Sequence, residues 1–139
     1  MFSVQDYFIN ALLLCKSLYG SRMSNNIIYK TFLQIEWNEM LANRYFSGSV
    51  DDKRDGFIHL STSIQLAETL SKHFHGQDSI VVAEVDAEKN SELLKYEFSR
   101  GGNKFPHLYG NLELSSIINY WTLSPDDKGA YDLSIIGTD

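Results

Sequence analysis

A single cysteine, Cys15, is all the thiol in this 139-residue chain. No disulfide can therefore close within it, and no thiolate cluster can be assembled around a metal. A reducing, cytoplasmic setting is the simplest one consistent with that shortage. Positive charge is also scarce: 12 Lys and Arg stand against 18 Asp and Glu, a net charge of −6. A broad grip on nucleic acid depends on Lys and Arg releasing counterions from phosphates, so this balance argues against it and leaves room only for a local basic pocket. Long apolar runs are missing too. A membrane-spanning helix needs about 20 predominantly apolar residues, whereas the run Ala11-Leu12-Leu13-Leu14-Cys15 is bounded by Gln5, Asp6, Asn10 and Lys16. A secretory signal would open on basic residues, and the first charge here is Asp6. The chain has no Gly-x-Gly-x-x-Gly, Walker, His-Glu-x-x-His or Gly-x-Ser-x-Gly pattern, which disfavours nucleophilic hydrolase chemistry, and no metal site is expected.

What is present suffices for one compact unit. The chain is 43% apolar with 8 Phe, 8 Tyr and 2 Trp, and single cores commonly occupy about 100 to 150 residues. Residues 1–23 form a leader that is either a short docked helix or a consequence of a start site lying upstream of the true one at Met23. Residues 24–124 form a single α+β domain, and 125–139 an acidic tail opened by the turn Pro125-Asp126-Asp127-Lys128-Gly129. Within the domain, Ile27 to Phe32 is β-branched and aromatic and reads as a first strand. Leu33, Trp37, Met40 and Leu41 give one helical stripe, with Trp37 in the core. The segment 47–56, rich in turn residues and charge, reads as an exposed loop and a lid beside a pocket. Ile64, Leu66, Ala67, Leu70 and Phe74 make a second stripe, with Ser61, Thr62 or Ser63 as its N-cap and Gln65 or Glu68 closing a capping box. Ser79 to Asp86 is a nearly continuous apolar, central strand. Leu93 to Phe98, Phe105 to Gly110 and Leu112 to Leu123 supply the remaining strands.

Two short stretches hold polar chemistry among apolar neighbours. In Gly56-Phe57-Ile58-His59-Leu60-Ser61-Thr62, a histidine with a near-neutral reference pKa suits proton transfer or the holding of a polar ligand. Ser61, two residues on, would share its strand face. In Phe105-Pro106-His107-Leu108-Tyr109-Gly110, Pro106 restricts the backbone before His107, and Tyr109 shares the face of His107. Glu97 is the carboxylate of the preceding strand and suits stabilisation of positive charge or base catalysis; a salt bridge to Arg100 or Lys104 is the bland alternative. Lys30, Arg100 and Lys104 are cations able to neutralise phosphate. For both histidines the competing reading is a core residue with satisfied ring nitrogens. His73 and His75 flank Phe74 at a helix end, where a histidine suits the dipole.

Gly56 to Thr62, Gln65, Thr69-Leu70, Val85-Asp86-Ala87, Glu97 and Phe105 to Gly110, in that order, resemble the family of domain of unknown function 952, over about Ile27 to Tyr120. Ile58-His59-Leu60-Ser61 and Ile80 to Ala87 are also similar to the strand patterns of the RNA 2'-phosphotransferases in the ADP-ribosyltransferase-like superfamily. That resemblance implies bent, split antiparallel β-sheets with flanking helices around a cleft for NAD or an ADP-ribosylated phosphate. Lys30 stands near the place where the superfamily's first strand usually ends in His or Arg. The implied roles are catalytic for His59, His107 and Glu97, and ligand-binding for Lys30, Ser61, Thr62, Arg100 and Tyr109. NAD would be a substrate rather than a resident cofactor. Three readings stand: an ADP-ribosyltransferase-like transferase acting on NAD or a related nucleotide, a non-catalytic ligand-binding module, and a protein-interaction domain.

Overall fold

The computed structural model describes residues 27–99 and 101–137. Strand β1 (Ile27–Leu33) runs straight into helix α1 (Gln34–Asn43), and β2 (Tyr45–Phe46) and the short helix α2 (Val50–Asp55) follow. Next come β3 (Ile58–His59), α3 (Leu66–His73), β4 (Ile80–Asp86), β5 (Leu94–Phe98), β6 (Lys104–Leu108), β7 (Leu112–Glu113) and β8 (Ile117–Leu123). The strands pair as three antiparallel sheets in the orders β1-β4-β8, β2-β7 and β3-β6-β5. Among the described residues no helix is long and apolar enough to cross a membrane.

β4 lies between β1 and β8, and all seven of its residues are buried. Side chains alternate across a strand, so Val81, Ala83 and Val85 join one core cluster while Ile80 and Val82 join another. The first cluster receives Trp37 and Met40 of α1, Phe46, Ile58, Leu108 and Leu112; the second receives Leu66 and Leu70 of α3. A sheet covered on both faces has no use for a polar stripe, which is why β4 reads as a nearly continuous apolar run, with Glu84 and the terminal Asp86 as its charged residues. Trp37 is 1% exposed and packs edge-on against Phe32 at 5.1 Å.

Two sequence-based expectations need correction. The segment 47–56 is not an open loop, because 50–55 forms α2. The second helical stripe begins later than expected: Thr62 to Gln65 is a turn, α3 starts at Leu66, and its N-cap Gln65 makes no side-chain cap. Gln65 instead turns its Oε1 back to accept the Thr62 N–H at 3.1 Å and donates to the Lys104 carbonyl at 2.6 Å. Beyond the turn at 125–129, Tyr131, Leu133 and Ile136 of the acidic tail pack on the second core cluster, and the Tyr131 hydroxyl donates to the Phe74 carbonyl at 2.8 Å.

Candidate functional site

The site begins with the capping of α2. The Asp52 N–H donates to Ser49 Oγ at 3.0 Å, and the Ser49 N–H donates to Asp52 Oδ2 at 2.9 Å, a reciprocal capping box. At the other end Gly56 takes a left-handed conformation with φ 88° and closes the helix by donating to the Asp52 carbonyl. Gly48 is needed for a different reason: a Cβ there would sit 2.9 Å from Asp52 Cβ. Six residues with hardly any apolar character are thus held as a helix by their ends, and the third of them is turned inward.

Asp52 is 2% exposed. Its Oδ2 also accepts from Lys30 Nζ of β1 at 3.0 Å, and its Oδ1 accepts the His59 N–H at 3.1 Å. The same Oδ1 lies 2.6 Å from His59 Nδ1. Burial by itself would push the Asp52 carboxyl up; the His59 hydrogen bond, the Lys30 charge and the Ser49 and His59 amides override it and hold the group well below the usual carboxylate range. Lys30 Nζ also donates to the His59 carbonyl at 3.1 Å. On its far side, His59 Nε2 lies 3.0 Å from Asp55 Oδ2. Asp55 is itself lowered, first by its bond to Arg54.

β6 delivers the second histidine. His59 and His107 are register partners across the β3·β6 pair, with ring centroids 5.7 Å apart. Phe57 stacks on His107 at 3.9 Å and 18° and also touches the rings of His59 and Tyr109. His107 Nδ1 lies 3.0 Å from Glu97 Oε1, and the Tyr109 hydroxyl donates to the same oxygen at 2.6 Å. The Tyr109 hydroxyl first and His107 second hold the Glu97 carboxyl below its ordinary value, and the shared bond raises the Tyr109 phenol. Glu97 thus bonds inward along its own sheet, and Lys104 places its Nζ 5.0 Å from the Phe98 ring.

A cavity of about 820 Å³ opens beside these residues. Lys30, His59, Ser61 and His107 line it; Thr62, Glu97 and Tyr109 do not, and Arg100 lies outside the described residues. Ser61 is buried, bonds Thr69 through the two hydroxyl oxygens at 2.8 Å, and exchanges both backbone hydrogen bonds with Tyr29. The two histidines, Glu97 and Tyr109 form one connected group, and Lys30 enters it through Asp52. Sequence reasoning missed Asp52 and Asp55, which it read as charges of an exposed loop. The available signal was Ser49-x-x-Asp52, a helix-start pattern followed by Gly56 at the place of a C-cap.

Residues 32–120 match the family model described as "Protein of unknown function (DUF952)". Protein CC0527 from Caulobacter crescentus is similar in structure. Its crystal structure shares 44% identity and a TM-score of 0.74, covering 77% of this chain and 94% of that one. Its solution NMR structure gives a TM-score of 0.70 at 44% identity, covering 78% and 93%. A search of curated proteins finds no match. With the family's model spanning more than half of the sequence, and the histidine strands β3 and β6 inside that span, the chain belongs to the DUF952 family.

Proposed function

We propose that the chain binds NAD or a related nucleotide in an ADP-ribosyltransferase-like cleft and transfers an ADP-ribosyl or phosphate group there. The observation that carries this reading is the pair of histidines, cross-strand partners that each bond a carboxylate and both line one cavity. Its volume falls within the range of roughly 300–1,000 Å³ usual for small-molecule sites. The charges on its wall favour ribosyl chemistry over the capture of a bare polyphosphate. Lys30 is paired with Asp52, Arg54 with Asp51 and Asp55, and Lys72 with Glu68. With Asp51, Asp52, Asp55 and Glu68 against Lys30, Arg54 and Lys72, the wall keeps one negative charge in excess, which suits the positive charge that develops on a ribosyl carbon as nicotinamide departs. His59 would contact the ribose or phosphate, and Ser61 would join it by exchanging its Thr69 partner for a ligand oxygen.

Thermal unfolding with NAD, ADP-ribose or a 2'-phosphorylated nucleotide tests the reading. Stabilisation by one of them, weakened in His59→Ala and His107→Ala, is the expected result; a parent protein that none of the three stabilises overturns it. Release of nicotinamide from NAD then marks a transferase. A second reading, a binding module without turnover, draws on the Asp55 carboxylate 3.0 Å from His59 Nε2, which stands where a reacting ligand would meet the ring. Ligand stabilisation with no nicotinamide or phosphate released would favour it.

A further inference from the structure

We propose that Asp52 is the positioning residue of the cleft, placing the proton of the His59 ring in its neutral form on Nδ1 so that Nε2 is the atom offered to a ligand. This deepens the ligand-cleft reading and rests on it for its functional meaning. The two carboxylates that flank His59 compete for the single ring proton of a neutral imidazole. Asp52 Oδ1 is 2.6 Å from Nδ1 and belongs to a side chain 2% exposed, while Asp55 Oδ2 is 3.0 Å from Nε2 and belongs to one 34% exposed. Hydrogen bonds strengthen in a low-dielectric interior, and exposed pairs are worth little, so the buried carboxylate takes the proton. Ionised Asp52 can only accept. A bare Nδ1 at that distance would set its lone pair against a buried carboxylate oxygen that cannot move; a bare Nε2 meets the same conflict with Asp55 at the longer 3.0 Å, where the more exposed side chain can turn into solvent.

The rest of the constellation serves this arrangement. Asp52 cannot swing away, because Ser49 N–H and Lys30 Nζ hold its Oδ2 while the His59 N–H holds its Oδ1. Lys30 supplies the buried countercharge that keeps the carboxylate ionised. This explains why a lysine stands in the first strand with 5% exposure, its Nζ held by Asp52 and the His59 carbonyl. Nε2 is left on the cleft side as an acceptor, and the more exposed Asp55 turns aside when a ligand hydroxyl donates to Nε2.

The ring tautomer can be read directly from long-range ¹H–¹⁵N correlations on ¹⁵N-labelled, ligand-free protein at a pH where the ring is neutral. The four histidines are separated by the signals lost in His59→Gln. The Nδ1–H form should exceed the Nε2–H form by about tenfold or more, since a buried hydrogen bond to a charged group outweighs that ratio while the exposed one at Asp55 is worth little. Asp52→Asn should reverse the preference. At Oδ2 a charged lysine and the Ser49 N–H donate, against the single His59 N–H at Oδ1, so the amide oxygen of the asparagine is drawn to the Oδ2 side and its NH₂ group faces Nδ1, which must then accept. Asp55→Ala should keep the proton on Nδ1. A wild-type ring with its proton on Nε2, or an Asp52→Asn ring unchanged from wild type, overturns the proposal. Should Asp52→Asn fail to fold, the wild-type spectrum alone decides. Because no ligand is present, a cleft that binds no nucleotide yet shows the Nδ1–H ring would sink the nucleotide reading and leave the positioning role standing.

Discussion

At His59 the imidazole is 40% exposed and its carboxylate partner Asp52 2%, whereas at His107 the imidazole is 6% exposed and its partner Glu97 39%. The same two groups meet at the same kind of bond with the burial reversed. On the α2 and β3 side the anion belongs to the framework. It is tolerated there because a lysine and two amides compensate its lost hydration, without which a buried charge is costly. On the β5 and β6 side the imidazole belongs to the framework, packed against Phe57, and its carboxylate reaches solvent. Stability should therefore follow the buried member of each pair, and at the first pair the exposed His59 imidazole is the group left to a ligand.

The largest effect is expected at Asp52. Asp52→Ala leaves Lys30 buried without its partner, and breaking a buried ion pair from one side costs about 3–5 kcal/mol; urea unfolding at neutral pH measures it. The same carboxylate shapes the acid limb of stability. Its folded pKa lies below the ordinary 3.8, so as pH falls past that value the unfolded chain binds more protons than the folded one. The contribution of Asp52 is complete above the ordinary carboxylate value and is lost as pH drops towards the depressed one. Asp52→Asn should lack that part of the slope.

Next in size is the contrast between the histidines themselves. His107→Ala removes a buried, stacked ring and should cost about 2 kcal/mol or more. His59→Ala leaves Asp52 with its Lys30 and two backbone donors, so the loss should be about 1 kcal/mol. Ligand stabilisation should fail in both. If His59→Ala proved the more destabilising, the assignment of framework and working members would have to be exchanged.

The legibility of the chain divides along related lines. β1, α1 and β4 could be read because their burial is imprinted as periodicity or as an apolar run: Trp37 and Met40 on one helix face, Ile80 to Val85 broken by Glu84 alone. His59 and His107 stood out as polar residues among apolar neighbours. Asp52 did not, because Val50-Asp51-Asp52-Lys53-Arg54-Asp55 carries no apolar stripe and its charges look solvated. What turns Asp52 inward is a lysine 22 residues earlier and a histidine seven residues later, and such long-range pairing leaves no local pattern. The two ends of α2 were legible in principle, as Ser49 with Asp52 and as Gly56, but end signals around so short and charged a segment resemble those of an ordinary turn. The bonds of Glu97 were hidden in the same way. Its partners lie 10 and 12 residues on, across the β5·β6 turn, while Lys104 and Arg100 offered a nearer and more familiar ion pair.

The smallest effect is expected at Glu97, and it sets the sharpest limit on the contrast. Glu97 and Asp52 are both held below their ordinary carboxylate values, so by sign alone both should lose stabilising interactions as pH falls. Exposure separates them: solvent and salt screen Glu97, whereas Asp52 is enclosed with its countercharge. A glutamine at 97 also keeps an oxygen able to accept from both the Tyr109 hydroxyl and His107 Nδ1. Glu97→Gln should therefore leave the urea midpoint at neutral pH within error of the parent and preserve the acid slope, under the same conditions in which Asp52→Asn flattens it. An equal flattening in the two variants would mean that the carboxylate of β5 is as much a part of the framework as that of α2, and that the reversal in burial does not govern how the two pairs work.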